Sequence, residues 1–251
     1  MPHFFVPPQN RKGLSFHFGP EESNHLVKVL RKKDGDVVEI FDGEGGVWSA
    51  SLLDCSNPAR VKGRVLENAS PPQSKLTLPS ISLEIYPALL KGERFDWMLE
   101  KLTEIGVSAI HPVVTERTLV ILEPGRIATR TERWKKIALS AAKQCGRADL
   151  PQVFPPIPFQ EARKPSASCD LDLFLWESEE KTSLSEALKK WEASRPSKNS
   201  YSVRLFAGPE GGYTMKEAGI AKQSGAAWVL LGENILRAET ASIAAASRIL
   251  L

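Results

Sequence analysis

The chain has 251 residues, with 33 Lys plus Arg against 30 Asp plus Glu, 42% hydrophobic residues and 25% charged ones. This is the balance of a folded protein and excludes disorder over most of the length. The apolar run 226–231 and the Ala-rich stretch 241–246 fall far short of the ~18–20 residues a membrane span needs, so no membrane partner is expected. The net charge of +3 is too small to announce a polyanionic partner, but a net charge averages over the surface and hides local clustering.

In chain order, residues 1–8 have no basic stretch leading into an apolar segment and do not read as a secretory signal. Three cysteines, Cys55, Cys145 and Cys169, form no Cys-x-x-Cys pair. They suit neither a disulfide framework nor a metal site, and a reduced cytoplasm is the expected setting. Residues 1–72 read as short strands at 4–6, 14–18, 37–42, 47–53 and 61–66, broken by Asp34-Gly35-Asp36 and Gly43-Glu44-Gly45-Gly46 turns. A small β-barrel fits this pattern. One helix over 20–31 interrupts it, with Pro20 at a first helical position and Leu26, Val29 and Leu30 at helical spacing. The Pro- and Ser-rich stretch 69–79 reads as a linker, placing the domain boundary between 1–72 and 73–251.

Beyond residue 82, apolar strands alternate with amphipathic helices, the signature of an α/β fold on a parallel sheet. Strands are expected at 83–89, 109–114, 171–176, 203–207 and 228–231. Helices are expected at 95–105, 131–145, 184–192, 215–224 and 237–250, with 151–158 and 163–168 as surface connections. The six tryptophans, at 48, 97, 134, 176, 191 and 228, mostly fall where a side chain points inward and read as core.

Residues 1–72 hold nine basic and nine acidic side chains, so the whole +3 lies on 73–251. Within 126–147, Arg126, Arg130, Arg133, Lys135, Lys136, Lys143 and Arg147 accompany only Glu132. At about 100° per residue, Arg133, Lys136, Ser140, Lys143 and Arg147 share one side of a helix, while Trp134, Ile137, Ala138 and Ala141 share another. A second basic cluster, Lys28, Arg31, Lys32 and Lys33, ends the 20–31 helix, with Arg11 and Lys12 as further cations of the same domain. Two basic patches fit a structured RNA or DNA partner, although cations at a helix end also complement its dipole. His25 is a secondary candidate, as catalytic base, RNA contact or structural histidine.

Two corners carry glycine. Gly208-Pro209-Glu210-Gly211-Gly212 joins the 203–207 strand to a helix, where the backbone can approach a ligand and helix-start amides can receive an acceptor group. The second runs from Leu231-Gly232 through Glu233-Asn234-Ile235-Leu236 to Arg237-Ala238-Glu239-Thr240-Ala241. There, Arg237 and Glu239 are charges beside an Ala-rich helix, needing either each other or a ligand. No Gly-x-Gly-x-x-Gly fingerprint, Walker A lysine or Gly-x-Ser-x-Gly elbow occurs, which disfavours nicotinamide, nucleoside triphosphate and serine-hydrolase chemistry.

Together these corners, with Glu100-Lys101-Leu102-Thr103-Glu104-Ile105-Gly106-Val107, the Arg133-Trp134 to Gln144 and Arg147 segment, and His25 through Arg31, resemble the bacterial 16S ribosomal RNA uridine-N3 methyltransferase family over nearly the whole chain. The resemblance implies an N-terminal PUA-like β-barrel that binds RNA and a C-terminal SPOUT methyltransferase domain whose parallel sheet ends in a trefoil knot. It also implies S-adenosylmethionine as cofactor, a homodimer, and 16S ribosomal RNA or the small ribosomal subunit as partner. Carried over, Gly208, Glu210, Gly211, Leu231, Gly232, Ile235, Leu236, Thr240 and Ala241 would line the cofactor, with Leu175 and Glu177 from an earlier loop. Arg237 would stabilise or orient the uracil, with Glu239 or Glu210 taking the proton or positioning Arg237. RNA contacts would come from Arg11, Arg31, Lys32, Arg126, Arg130, Arg133, Lys136, Lys143 and Arg147. The chain departs from the family in Asn234, where an arginine is common, and in Cys145, where serine is more usual. Methylation of another RNA or of a ribose hydroxyl, and a non-catalytic RNA-binding assembly factor, are the alternatives.

Overall fold

A computed structural model describes residues 3–66, 80–164, 169–178 and 181–251. The linker expected at 69–79, and with it the boundary at 72/73, lies outside the described residues, as does most of the 163–168 connection. The chain forms two compact units, the described residues within Met1–Thr77 with Leu139–Leu150, and those within Leu78–Ala138 with Pro151–Leu251.

The first unit is a curled six-stranded sheet of β1 (His3–Phe5), β2 (Arg11–Lys12), β3 (Ser15–His17), β4 (Val37–Phe41), β5 (Val47–Asp54) and β6 (Lys62–Val65) in the order β1-β4-β5-β6-β3-β2. All ladders are antiparallel except β1 on β4. Alternation along the strands turns Phe4, Phe16, Val38, Ile40, Ala50, Leu52 and Val65 into a shared core with Phe18, Leu26 and Val61. The helix expected over 20–31 is regular only in α1 (Pro20–Asn24). It continues as a π-helical turn over His25–Val29, and Arg31 then takes a left-handed backbone at φ +53°.

The second unit carries a sheet of β7 (Ser80–Pro87), β8 (Ala109–Ile110), β10 (Gln152–Val153), β12 (Leu171–Leu175), β13 (Ser200–Ala207) and β14 (Ala227–Val229), ordered β10-β8-β7-β13-β12-β14 and parallel throughout. The segment expected as one strand over 109–114 is two: β8 joins the main sheet, while β9 (Val113–Val114) leaves it to pair with β11 (Ile157–Pro158). Pro112, with no N–H to donate, sits at the switch.

Both sheet faces are covered, as a parallel sheet requires. On one face Leu83, Ile85, Leu173, Val203 and Leu205 pack with α2 (Arg94–Ile105), the Trp134 and Ala138 side of α3 (Ile127–Cys145), α5 (Leu184–Ser194) and α7 (Ala238–Leu250). On the other, Tyr86, Phe174 and Phe206 meet Phe159 and Ala162 of α4 (Phe159–Ala162), Ala218 and Ala221 of α6 (Met215–Gln223), and Tyr213. Each fully buried Leu, Ile, Val or Phe among them contributes about 1.5–3 kcal/mol relative to exposure. That second face also holds a buried charge cluster. Arg163 donates to both carboxylate oxygens of Asp172 (3.1 and 3.0 Å) and to Ser224, and Arg204 donates to Asp172 at 3.1 Å.

Trp134, Trp176 and Trp191 are core as expected, Trp48 and Trp228 are half-buried, and Trp97 is 48% exposed on α2. Trp97 departs from expectation because helical spacing placed it next to, not within, the stripe made by Phe95, Met98, Leu99 and Leu102.

Candidate active site

The three neighbouring strands β13, β12 and β14 are parallel, so their carboxyl ends share one edge, where ligands of open α/β sheets bind. The loops that leave these ends enclose a cavity of about 460 Å³, within the range of small-molecule sites. Its wall is Leu175, Trp176 and Glu177 after β12, Gly208–Tyr213 without Gly211 after β13, and Val229–Ala238 with Ala241 after β14. Arg94, from the start of α2, completes it.

The first glycine corner is shaped by its neighbours. The Gly212 amide donates to Pro209 O at 2.9 Å, and Gly212 sits at φ +67°, where a Cβ would lie 2.3 Å from Glu177 Oε1. Only glycine fits there without displacing a cavity carboxylate. Gly208 backs onto the Tyr213 ring, 3.1 Å from where its Cβ would be. Thr214 then caps α6 in a reciprocal box with Glu217, its amide donating to Glu217 Oε2 at 2.9 Å and its hydroxyl accepting from the Glu217 amide at 3.3 Å. The Tyr213 hydroxyl is fully enclosed, and burial holds its pKa well above the usual phenol value, with Glu217 adding to the rise. It is therefore no proton acceptor.

The second corner ends on Arg237, which is the N-cap of α7 and makes no side-chain cap hydrogen bond. Arg237 is exposed, and among the described residues it has no salt-bridge partner. The cavity mouth beside it carries Ile235, 89% exposed, and Leu236.

Of the residues expected at a cofactor, Leu175, Glu177, Gly208, Glu210, Leu231, Gly232, Ile235, Leu236 and Ala241 line the cavity, as does Arg237. Gly211 lies just behind the wall against Arg117, Thr240 is exposed outside it, and Glu239 is turned into the protein at 7% exposure. Arg237 and Glu239 form no ion pair with each other, and of the two only Arg237 reaches the cavity. Glu210 is engaged, accepting from the Lys91 amide (3.2 Å) and from Arg94 Nη1 (3.4 Å). Sequence reasoning missed Arg94 and Tyr213, while Trp176, Gly212 and Glu233 lie within the loops it singled out without being assigned individually. Tyr213 adjoins the glycine motif, but nothing local marks Arg94, which meets Glu210 across 116 positions.

The basic run over 126–147 is less bare than its sequence. Arg126 pairs with Glu123 (2.8 Å), Arg133 with Asp96 (2.5 Å), Lys135 with Glu132 (2.7 Å), Lys143 with Glu22 (2.5 Å) and Arg147 with Asp149 (2.7 Å). The Arg147 side chain is only 9% exposed. Arg126 and Arg133 remain largely in solvent, Lys136 is exposed, and Arg130 lies over the Trp134 ring at 5.4 Å. In the first unit, Arg11 stacks on half-buried Trp48 at 4.0 Å, Arg31 is exposed, and Lys32 lies 3.9 Å from Asp36. His25 is half-buried, its ring 6.0 Å from Phe4.

A parallel sheet with a loop-built cavity at its carboxyl edge, attached to a curled N-terminal sheet, is the class of RNA methyltransferases with a PUA domain. The family described as RNA methyltransferase domain matches residues 77–250, and RNA methyltransferase PUA domain matches 18–57. Ribosomal RNA small subunit methyltransferase E of Synechocystis sp. is 37% identical over 90% of this chain and 69% of its own length. That of Aquifex aeolicus is 32% identical over 98% and 97%. The solved structure of the Neisseria gonorrhoeae enzyme of the same name, bound to S-adenosyl methionine, aligns with TM-score 0.80 and 30% identity over 99% of this chain and 96% of that one. The chain belongs to the ribosomal RNA small subunit methyltransferase E family.

Proposed function

We propose that this protein transfers the methyl group of S-adenosylmethionine to N3 of a uridine in 16S ribosomal RNA. The observation that carries the reading is the cavity at the carboxyl edge of β13, β12 and β14, with Arg237 at its wall free of any salt bridge among the described residues. The cavity fits the cofactor. Gly208 and Gly212 leave the backbone bare where a side chain would intrude, and the 460 Å³ volume suits a nucleoside joined to an amino acid. When bound, the cofactor supplies an electrophilic methyl group on a sulfonium.

The remaining work falls to the protein. Methyl transfer needs the attacking nitrogen in line with the S–CH3 bond, so positioning supplies much of the rate. Uridine N3 carries a proton and attacks poorly until that proton leaves. Arg237 is assigned to orient the uracil and stabilise the negative charge that develops on its carbonyl oxygens. Glu239 is enclosed away from the cavity and Glu210 is held by Lys91 and Arg94, which leaves Glu177 and Glu233 as the wall carboxylates available to accept the proton.

In this reading residues 1–72 dock RNA, with Arg11 and Arg31 offered to phosphates, and 73–251 carry the chemistry. The loops around the cavity would form the trefoil knot that the family resemblance implies. A homodimer would cover the exposed Ile235 at the cavity mouth, and the setting would be the cytoplasm, where ribosomes mature. Among the described residues no helix is long and apolar enough to cross a membrane and no His/Cys/Asp/Glu group is arranged to hold a metal.

The test is Arg237→Ala with labelled S-adenosylmethionine and small ribosomal subunits. The variant is expected to bind cofactor normally and to transfer about 10²–10³-fold more slowly, the usual cost of losing one charge-stabilising donor. Transfer at the wild-type rate would remove Arg237 from the chemistry.

A further inference from the structure

We infer that Arg117 is a positioning residue that holds the glycine corner in its ligand-receiving shape. The inference rests on the proposed cofactor site but concerns a residue outside it, since Arg117 lies behind the cavity wall. The corner 208–214 leaves β13 with glycine at 208, 211 and 212, three residues whose backbones have more conformational freedom than any other type. Something outside the corner must fix it.

The turn after β9 does so. Thr115 and Thr118 lock this turn through hydroxyl and backbone hydrogen bonds of 2.8, 2.9 and 3.2 Å. From it, Arg117 Nη1 donates to Gly211 O at 2.8 Å and to Tyr213 O at 3.4 Å, across more than ninety positions of sequence. Next to it, the Glu116 amide donates to Glu217 Oε1 at 2.9 Å, tying the same turn to the cap of α6. Gly211 lies beside this turn, where a Cβ added to it would be at van der Waals distance, 3.5 Å, from Arg117 Cβ. A charged donor on two carbonyls of a glycine-rich loop is a strong restraint, added to the Gly212–Pro209 hydrogen bond and the Thr214–Glu217 cap. On the opposite side, Glu210 is held by Lys91 and Arg94, so the corner is gripped from two flanks.

The test compares wild type, Arg117→Ala and Arg117→Lys. The first measurement is hydrogen exchange of the ligand-free protein at Gly212, whose amide donates to Pro209 O, and at Thr214, whose amide donates to Glu217 Oε2 on α6, at 2.9 Å each. Arg117→Ala is expected to speed their exchange about tenfold, while Arg117→Lys, which can still donate to the Gly211 carbonyl, restores much of the protection. The second is S-adenosylmethionine affinity by calorimetry, expected to fall about tenfold in Arg117→Ala and to recover in Arg117→Lys, with the melting temperature of Arg117→Ala lowered by about 3–6 °C at most. Unaltered exchange at Gly212 and Thr214 would overturn the inference. Failure of the wild type to bind the cofactor would instead overturn the proposed function, and the exchange result would stand by itself.

Discussion

Replacing Gly212 by alanine perturbs backbone and cavity at once. The native φ of +67° lies in the left-handed region, which costs a residue with a Cβ roughly 1–2 kcal/mol. The new methyl would also lie 2.3 Å from Glu177 Oε1, 2.6 Å from Oε2 and 2.7 Å from Cδ. Glu177 is exposed and its carboxylate is the far end of a flexible side chain, so it can swing aside at small energetic cost. The stability loss is therefore the backbone cost alone, a fall of about 2–8 °C in melting temperature at about 2–4 °C per kcal/mol for a domain of this size. The swing removes a carboxylate from the cavity wall. If that carboxylate accepts a hydrogen bond from the ligand, worth about 1.5–3 kcal/mol when charged, S-adenosylmethionine binds about 10–100-fold more weakly. Glu177→Ala should reproduce the affinity loss without the stability loss. Scanning calorimetry and titration calorimetry on both variants separate the effects. Gly212→Ala with wild-type melting temperature and affinity would refute the reasoning.

Three further outcomes are expected. Arg163→Ala strips a side chain only 2% exposed from Asp172, itself 8% exposed. Because Arg204 still pairs with Asp172, the loss by urea denaturation should sit near the low end of the ~3–5 kcal/mol typical of broken buried pairs, and a loss under about 1 kcal/mol would contradict the network's role. Removing both Arg126 and Arg130 should lower the slope of log RNA affinity against log salt by about 1.4–1.8, and an unchanged slope would exclude both from the RNA surface. His111, stacked between Tyr86 and Phe154 at 4.4 and 4.2 Å, has its pKa lowered by burial, against the opposing pull of Glu84. The unfolded chain then binds more protons below about pH 6.5, so this group's contribution to stability is present above that pH and declines as pH falls below it. Urea midpoints at pH 7.5 and 5.5 should differ more for the wild type than for His111→Phe, and equal differences would refute the assignment.

The strands and helices that position the cavity were legible because their signals are local. Apolar runs alternating with amphipathic helices marked β12 and β13. The 109–114 segment was read as one strand because hydrophobicity continues across Pro112, whereas the main-sheet ladder stops at Ile110 and resumes only as an isolated bridge between Ala88 and Val113. The π-helical turn at His25–Val29 has the composition of an ordinary helix, so spacing could not reveal it. Both glycine corners were visible as motifs, and most of their residues do line the cavity. Glu239 was misplaced because a motif orders residues along the chain without saying which side of α7 each occupies. Two of the acids that pair with the basic run, Glu22 and Asp96, come from distant positions, and so do Arg94 and Arg117. Such groups become neighbours only through the fold.

The central claim is the atom that receives the methyl group. It is tested by incubating the protein with S-adenosylmethionine and small ribosomal subunits that lack the modification, then digesting the RNA to nucleosides for mass spectrometry. The account predicts that 3-methyluridine appears with the wild type and is sharply reduced with Arg237→Ala. A methyl group on a ribose hydroxyl or on another base atom, or no methyl group at all from a protein that binds the cofactor, would contradict it.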